Sequence, residues 1–197
     1  MPRPATYDKD TREALLVAAG RILAGEGAAQ LTMRRLAGEV GATTSAIYAL
    51  FGSKQEVVRA MYREGFEHLT RLEAEVDQAD PVARIRALAY AYRRAALDRP
   101  HLYQVMFACP VPDFIPDDED MAIGQGSLFI LRDAVADAVA AQAIRGDVDT
   151  ITVAMWALVH GLASLELNGA LAHQTDPDAV WETSLDASLS GLRASAA

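Results

Sequence analysis

Leu31-Thr32-Met33-Arg34-Arg35-Leu36-Ala37-Gly38-Glu39-Val40-Gly41-Ala42-Thr43-Thr44-Ser45-Ala46-Ile47-Tyr48-Ala49-Leu50-Phe51-Gly52-Ser53-Lys54 reads as two short helices joined by a tight turn. Thr32 is placed to cap the first, whose inward residues are Met33, Leu36, Ala37 and Val40. Gly41 supplies the turn, since glycine enters left-handed backbone without a Cβ clash. Thr43 is placed to cap the second helix, in which Ile47 and either Leu50 or Phe51 point inward. Thr43, Thr44, Ser45 and Tyr48 are left facing outward. A packing helix, a small turn residue and a second helix with short polar residues at its outer N-terminal end are the parts of a helix-turn-helix, so double-stranded DNA is the expected partner.

The types of residue fit that partner. Thr44, Ser45 and Ala46 stand where side chains enter the major groove, short enough to meet thymine methyls or to reach base edges through water. Tyr48 is expected to set its hydroxyl on a backbone phosphate, or else to be a half-buried packing tyrosine. Lys54 opens the next helix and adds charge beside a helix N-terminus, itself an anion site, unless it is simply a solvated surface lysine. Thr32 and Arg34 are further phosphate candidates.

Working outward, the charge is unevenly distributed. The 197-residue chain has a net charge of −9, which argues against a general nucleic-acid sponge. Residues 1–63 nevertheless carry nine Lys/Arg against six Asp/Glu, while the remainder carries nine against 21. The acidic remainder would be repelled by DNA, so contact is directed to the N-terminal end. The 51% hydrophobic content suffices for a sizeable core. No apolar run is expected to reach the roughly 18 residues of a membrane span, and the N-terminus lacks the apolar stretch of a secretion signal, so a cytoplasmic protein with no membrane partner is expected. The lone Cys109 excludes an internal disulfide and a cysteine metal cluster, and reads as a small buried residue or a redox-sensing thiol.

The 3.6-residue period recurs from end to end, giving an all-α chain of about nine helices. The first is expected from about Asp10 to Gly25, with Leu15, Ala18, Ala19, Ile22 and Leu23 in one stripe. Ser53-Lys54-Gln55-Glu56 opens the fourth as a reciprocal capping box, and its stripe runs through Val57, Val58, Met61, Tyr62, Phe66 and Leu69 to about Asp77, long enough to link two modules. Asp80-Pro81 starts a fifth, Arg99-Pro100 breaks it, and a short sixth follows. Residues 109–120, with three prolines and five carboxylates, read as the clearest loop. A seventh helix is expected over about 121–144, an eighth over about 148–172 that is apolar on most of its circumference, and a ninth from Asp176-Pro177 to about Ser195. The division expected is a three-helix DNA-binding domain over 1–55 and a C-terminal regulatory and dimerisation domain over 56–197.

Leu31 to Ala37 as Leu-Thr-x-Arg-x-Leu-Ala and Gly41 to Lys54 as Gly-x-Thr-x-x-x-Ile-Tyr-x-x-Phe-x-Ser-Lys resemble, in order and spacing, the DNA-binding domain of the TetR family of transcriptional regulators. Ala49-Leu50 departs from the polar-aromatic pair common there, which puts one phosphate contact in doubt. Downstream, Trp156-x-x-x-His160-Gly161 with Leu102-Tyr103-x-x-Met106-Phe107 resembles the WHG-type C-terminal domain found in part of that family, over roughly residues 84–192. The resemblance implies a homodimeric, ligand-responsive regulator, most often a repressor, on a pseudo-palindromic operator.

No nucleophile elbow, His-Glu-x-x-His or partnered carboxylate pair points to catalysis, so no enzyme is expected and no cofactor. A small-molecule effector is expected, its pocket drawn from Tyr103, Met106, Phe107, Met155, Trp156 and His160, the competing reading of these residues being ordinary core. His160 is either an effector ligand or a core histidine bonded to a carbonyl. The spacings of His101, His160 and His173 with Glu166 do not put three ligands on one face, so no metal site is expected. Dimerisation, which lets two recognition helices read related half-sites, is expected through the last two helices, with Val159, Leu162, Ala163, Leu185 and Leu189 in the interface. The competing reading is a helical small-molecule carrier or enzyme whose helix-turn-helix no longer binds DNA.

Overall fold

The computed structural model describes residues 9–108, 111 and 113–193. The reading of Cys109 lies outside them. Among the described residues the chain forms nine helices and no strand: α1 (Lys9–Glu26), α2 (Met33–Glu39), α3 (Thr44–Phe51), α4 (Lys54–Ala74), α5 (Pro81–Asp98), α6 (Pro100–Ala108), α7 (Asp118–Ala140), α8 (Val148–Leu167) and α9 (Pro177–Leu192).

Local chemistry sets most helix starts. The hydroxyl of Thr32 accepts the Arg35 N–H at 3.1 Å and that of Thr43 accepts the Ala46 N–H at 3.2 Å. Asp80, Asp147 and Asp176 cap α5, α8 and α9 in the same way, two of them ahead of a proline. At α4 only half of the expected capping box forms. Ser53 accepts the Glu56 N–H at 3.2 Å, while the Glu56 carboxylate turns to Arg59 at 2.8 Å, where an ion pair competes with the backbone donor.

The expected loop over 109–120 is shortened, because α7 begins at Asp118. Asp117 Oδ1 accepts the Asp120 N–H at 2.9 Å and Asp120 Oδ2 accepts the Asp117 N–H at 3.1 Å, a reciprocal cap that uses two aspartates. Three carboxylates in the first turn also match the positive end of the helix dipole. The acid-rich string that looked too polar for regular structure is a helix start.

The described chain falls into two compact units: that of Met1–Gly65 with His101–Met121, and that of Phe66–Pro100 with Ala122–Ala197. The boundary therefore passes inside α4 and α7, and α6 belongs with the N-terminal helices rather than with the rest of 56–197. In the first unit α1 packs on α2 and α2 on α3, burying Leu15, Ile22, Leu36 and Ile47. α6 comes so close to α1 that a Cβ on Gly20 would overlap His101, and so close to α4 that one on Gly65 would lie 2.5 Å from Met106 Sδ.

In the second unit α5 packs on α8 and α8 on α9 around Ile85, Met155, Val159, Trp181 and Leu185. Arg93 grips Glu166 bidentately at 2.9 and 2.6 Å and reaches Asp178 at 2.6 Å, while the Trp181 indole N–H donates to Glu166 at 2.7 Å. α8 is long and apolar enough to cross a membrane by length and composition, contrary to the expectation that no such run exists. Its inner side is joined to α5 and α9, and Glu166 near its end is bonded to Arg93, as befits a helix of a bundle.

Candidate nucleic-acid interface

The first unit presents the expected polar stripe. On α3, Ile47 is fully buried and Phe51 nearly so, which chooses Phe51 over Leu50 as the second inward anchor. With those anchors fixed, Thr43, Ser45 and Tyr48 are exposed, Tyr48 to 52%, and Thr44 is half-buried. Ala46 is the correction. It is only 9% exposed and faces the core beside Ile47, because a helix that turns 47 and 51 inward brings 46 to the edge of the buried face. The exposed alanine on this face is Ala49.

The caps tune the exposed hydroxyls. Thr32 and Thr43 spend an oxygen lone pair on a helix N–H, which leaves each hydroxyl proton to be donated outward to an acceptor such as a phosphate oxygen. Gly41 takes φ +66° and Gly52 φ +78°, so both ends of the turn-plus-α3 segment use backbone that a side chain would strain. Arg34 is exposed. Arg35, its neighbour, is held by Glu26 at 3.0 Å and Glu39 at 2.5 Å, so its charge is already spent within the unit.

Lys54 has a structural task that its sequence position concealed. Its ammonium donates to the Ala28 carbonyl at 2.6 Å, fastening the start of α4 to the turn after α1. An ammonium has three donors, so this bond leaves two for an anion. The partner lies 26 residues back, beyond the reach of any local pattern.

Behind the interface, Asp120 is fully buried and receives Arg59 Nε at 2.9 Å and Arg63 Nε at 2.6 Å. Two arginines of α4 thus close on one aspartate at the start of α7 within the first unit. The exposed Asp117 beside it is held below the usual carboxylate range, first by the Asp120 backbone N–H and then by Arg59 and Arg63.

The expected effector residues do not share one unit. Tyr103, Met106 and Phe107 lie in the first, with Tyr103 and Met106 buried and the Tyr103 and Phe107 rings 4.9 Å apart. Met155, Trp156 and His160 lie in the second, where Met155 is core and Trp156 is 37% exposed. His160 Nδ1 meets the Tyr92 hydroxyl at 3.0 Å, a side-chain partner where a carbonyl was the expected alternative, and burial lowers its pKa from the ordinary value. The expected interface residues are internal. Val159, Leu162, Ala163, Leu185 and Leu189 are each at most 7% exposed within the single chain and serve the α5, α8 and α9 core. The outward side of α8 is a different one, with Val153 exposed on it and Trp156 and Leu165 exposed towards its two edges.

A family model described as bacterial regulatory proteins, tetR family, matches residues 15–61, and one described as tetracyclin repressor-like, C-terminal domain, matches residues 85–188, more than half of the chain. The chain belongs to the TetR family. The TetR assignment covers both the helix-turn-helix and the C-terminal region. A curated relative, the HTH-type transcriptional regulator Rv1816 of Mycobacterium tuberculosis, is 28% identical, with 86% of this chain and 87% of that protein covered. A Rhodococcus protein of unknown function superposes with a TM-score of 0.80 at 28% identity, covering 98% and 100% of the two chains. The TetR regulator PfmR of Thermus thermophilus shares the fold, with a TM-score of 0.77 at 19% identity over 91% of this chain and 99% of that one. The family, Rv1816 and PfmR are transcriptional regulators, and this chain carries the DNA-binding helix-turn-helix of a TetR regulator.

Proposed function

We propose that this TetR chain is a ligand-responsive repressor that acts in the cytoplasm and binds a pseudo-palindromic operator as a homodimer, with DNA reading in residues 1–55 and regulation and dimerisation in 56–197. The observation that carries the reading is the stripe Thr43, Ser45 and Tyr48, exposed on a helix whose other side is anchored by Ile47 and Phe51. A stripe of hydroxyls on a rigid helix, in the net-positive part of an acidic chain, is chemistry for phosphates and base edges. Thr32, Arg34, Thr44 and Lys54 surround it as further contacts. α4 contributes to both compact units, so a ligand held in the second would act on the first by shifting α4 between two positions.

Binding to the DNA upstream of its own gene, measured across a salt series, tests this. The expected result is specific affinity that falls steeply with salt, by about 0.9 in log–log slope for each phosphate neutralised. Tyr48→Ala is expected to weaken that affinity without unfolding the chain, since Tyr48 is 52% exposed. Salt-insensitive or absent binding, with Tyr48→Ala silent, would sink the DNA-reading role.

A further inference from the structure

Among the described residues Asp120 and Glu73 are buried carboxylates and Glu166 is largely covered, and two of these three have arginine partners. Asp120 takes Arg59 and Arg63, and Glu166 takes Arg93 through both oxygens. Glu73, on the part of α4 in the second unit, is the exception. It is 4% exposed, its Oε1 accepts the Ser127 hydroxyl of α7 at 2.9 Å, and its Oε2 is buried with no hydrogen-bond partner among the described residues. A buried carboxyl with one neutral hydrogen bond carries a desolvation cost that an ion pair would offset.

A cleft of about 430 Å³ in the same unit is lined by Glu67, Thr70, Arg71 and Ala74 of α4 and Ala122, Ile123 and Gly126 of α7. Glu73 lies on the adjoining buried stripe of α4, next to Thr70 and Ala74 by helical position, and Ser127 follows Gly126 directly. A Cβ on Gly126 would stand in ordinary contact with Thr70, 3.6 Å from its Oγ1, so α7 and α4 face each other here across the width of one side chain. Ala74, Ala122 and Ile123 give the cleft an apolar wall, and Arg71 turns its guanidinium to His68 Nδ1 at 3.3 Å.

We propose that Glu73 anchors an effector site for a protonated organic amine on an apolar body, whose ammonium reaches between Thr70 and Gly126 and supplies the cation that this carboxyl lacks. Burial pushes the Glu73 carboxyl up to about 8, with the Ser127 bond opposing, so in the free chain at neutral pH it holds a proton. The charged groups nearest it on α4 are Glu67 and Arg71, and α7 carries none between Asp120 and Arg132. Docking of the ammonium ionises the carboxyl, and its proton leaves to solvent while the amine keeps its own.

This rests on the reading of the chain as ligand-responsive and names the ligand's chemical class. The test is calorimetric titration of the full chain with 4-phenylbutylamine, 4-phenylbutanol and 4-phenylbutanoic acid, in buffers of different ionisation enthalpy. The amine is expected to bind tightest, release about one proton, and gain about tenfold in affinity for each unit by which the pH rises towards 8. Glu73→Gln, which keeps the shape and the Ser127 bond, is expected to weaken the amine about 10- to 100-fold and to abolish the proton release. Equal affinity for amine and alcohol, undiminished amine affinity in Glu73→Gln, or no binding at millimolar amine overturns the site. Operator affinity followed in the same titration separates the two ideas. Glu73-dependent amine binding that leaves the operator untouched keeps the site and removes ligand response, whereas intact operator binding with no amine bound removes the site alone.

Discussion

At the scale of single residues, Glu73 and Asp120 show how two buried carboxyls on neighbouring helices reach opposite outcomes. Glu73 has an unfolded-state pKa near 4.5 and a folded one of about 8, because burial disfavours its charge more than Ser127 favours it. Between those values the folded chain binds the extra proton, so stability is fully present below pH 4.5 and falls as pH rises towards 8, by about 1 kcal/mol per pH unit from this group. Glu73→Gln removes the dependence. Its melting temperature is expected to match the parent near pH 5 and to exceed it increasingly up to pH 8; a constant offset across that range would show that the carboxyl does not titrate there. Asp120 is fully buried but doubly paired, so its charge is the part that matters. Asp120→Asn leaves two arginines short of their counter-ion, at an expected cost of about 3 kcal/mol in urea unfolding. A cost within experimental error would mean that water replaces the aspartate.

At the scale of elements, helix starts are legible because a cap and the N–H it accepts are three residues apart or less. Thr32, Thr43, Asp80 and Asp176 all sit where the sequence places them, and Asp147, which it does not single out, caps α8 in the same way. Asp117 was hidden by the acids around it, since a cap followed by three more carboxylates has the composition of a loop. Close approaches are not legible at all. Gly20 reads as a weak point in α1, yet a Cβ there would lie 2.6 Å from the Cβ of His101, an atom fixed to the backbone of α6. Gly20→Ala gains up to about 1 kcal/mol of helix propensity but forces α6 away from α1, at about 1 to 3 kcal/mol. Net destabilisation in thermal unfolding is therefore expected, and net stabilisation would show that α6 yields freely.

For the whole molecule, the proposed homodimer raises the question of which surface of α8 and α9 would meet a second copy. A periodic pattern could not answer it, because α8 is apolar nearly all round and either of its sides reads as buried. Burial within one chain divides the two sides. Val159, Leu162 and Ala163 are spent on the core, whereas Val153 is 52% exposed, Leu165 48% and Trp156 37%, with Ala157 and Gly161 exposed or half-exposed between them. A Cβ on Gly161 would meet nothing, and α9 offers the small exposed residues Ala179, Thr183 and Ala187. Apolar side chains flanking small ones let two helix pairs approach closely, so this outward side is the proposed dimer face. Val153→Glu is expected to leave the fold within about 0.5 kcal/mol of the parent, to sediment as a monomer, and to lose most operator affinity because half-sites are then bound singly. Val159→Ala is expected to do the reverse, lowering stability by about 1 to 2 kcal/mol through lost core packing while leaving dimerisation at permissive temperature. A Val153→Glu chain that stays dimeric, or a Val159→Ala chain that folds as well as the parent but comes apart, would return the interface to the side the sequence first suggested.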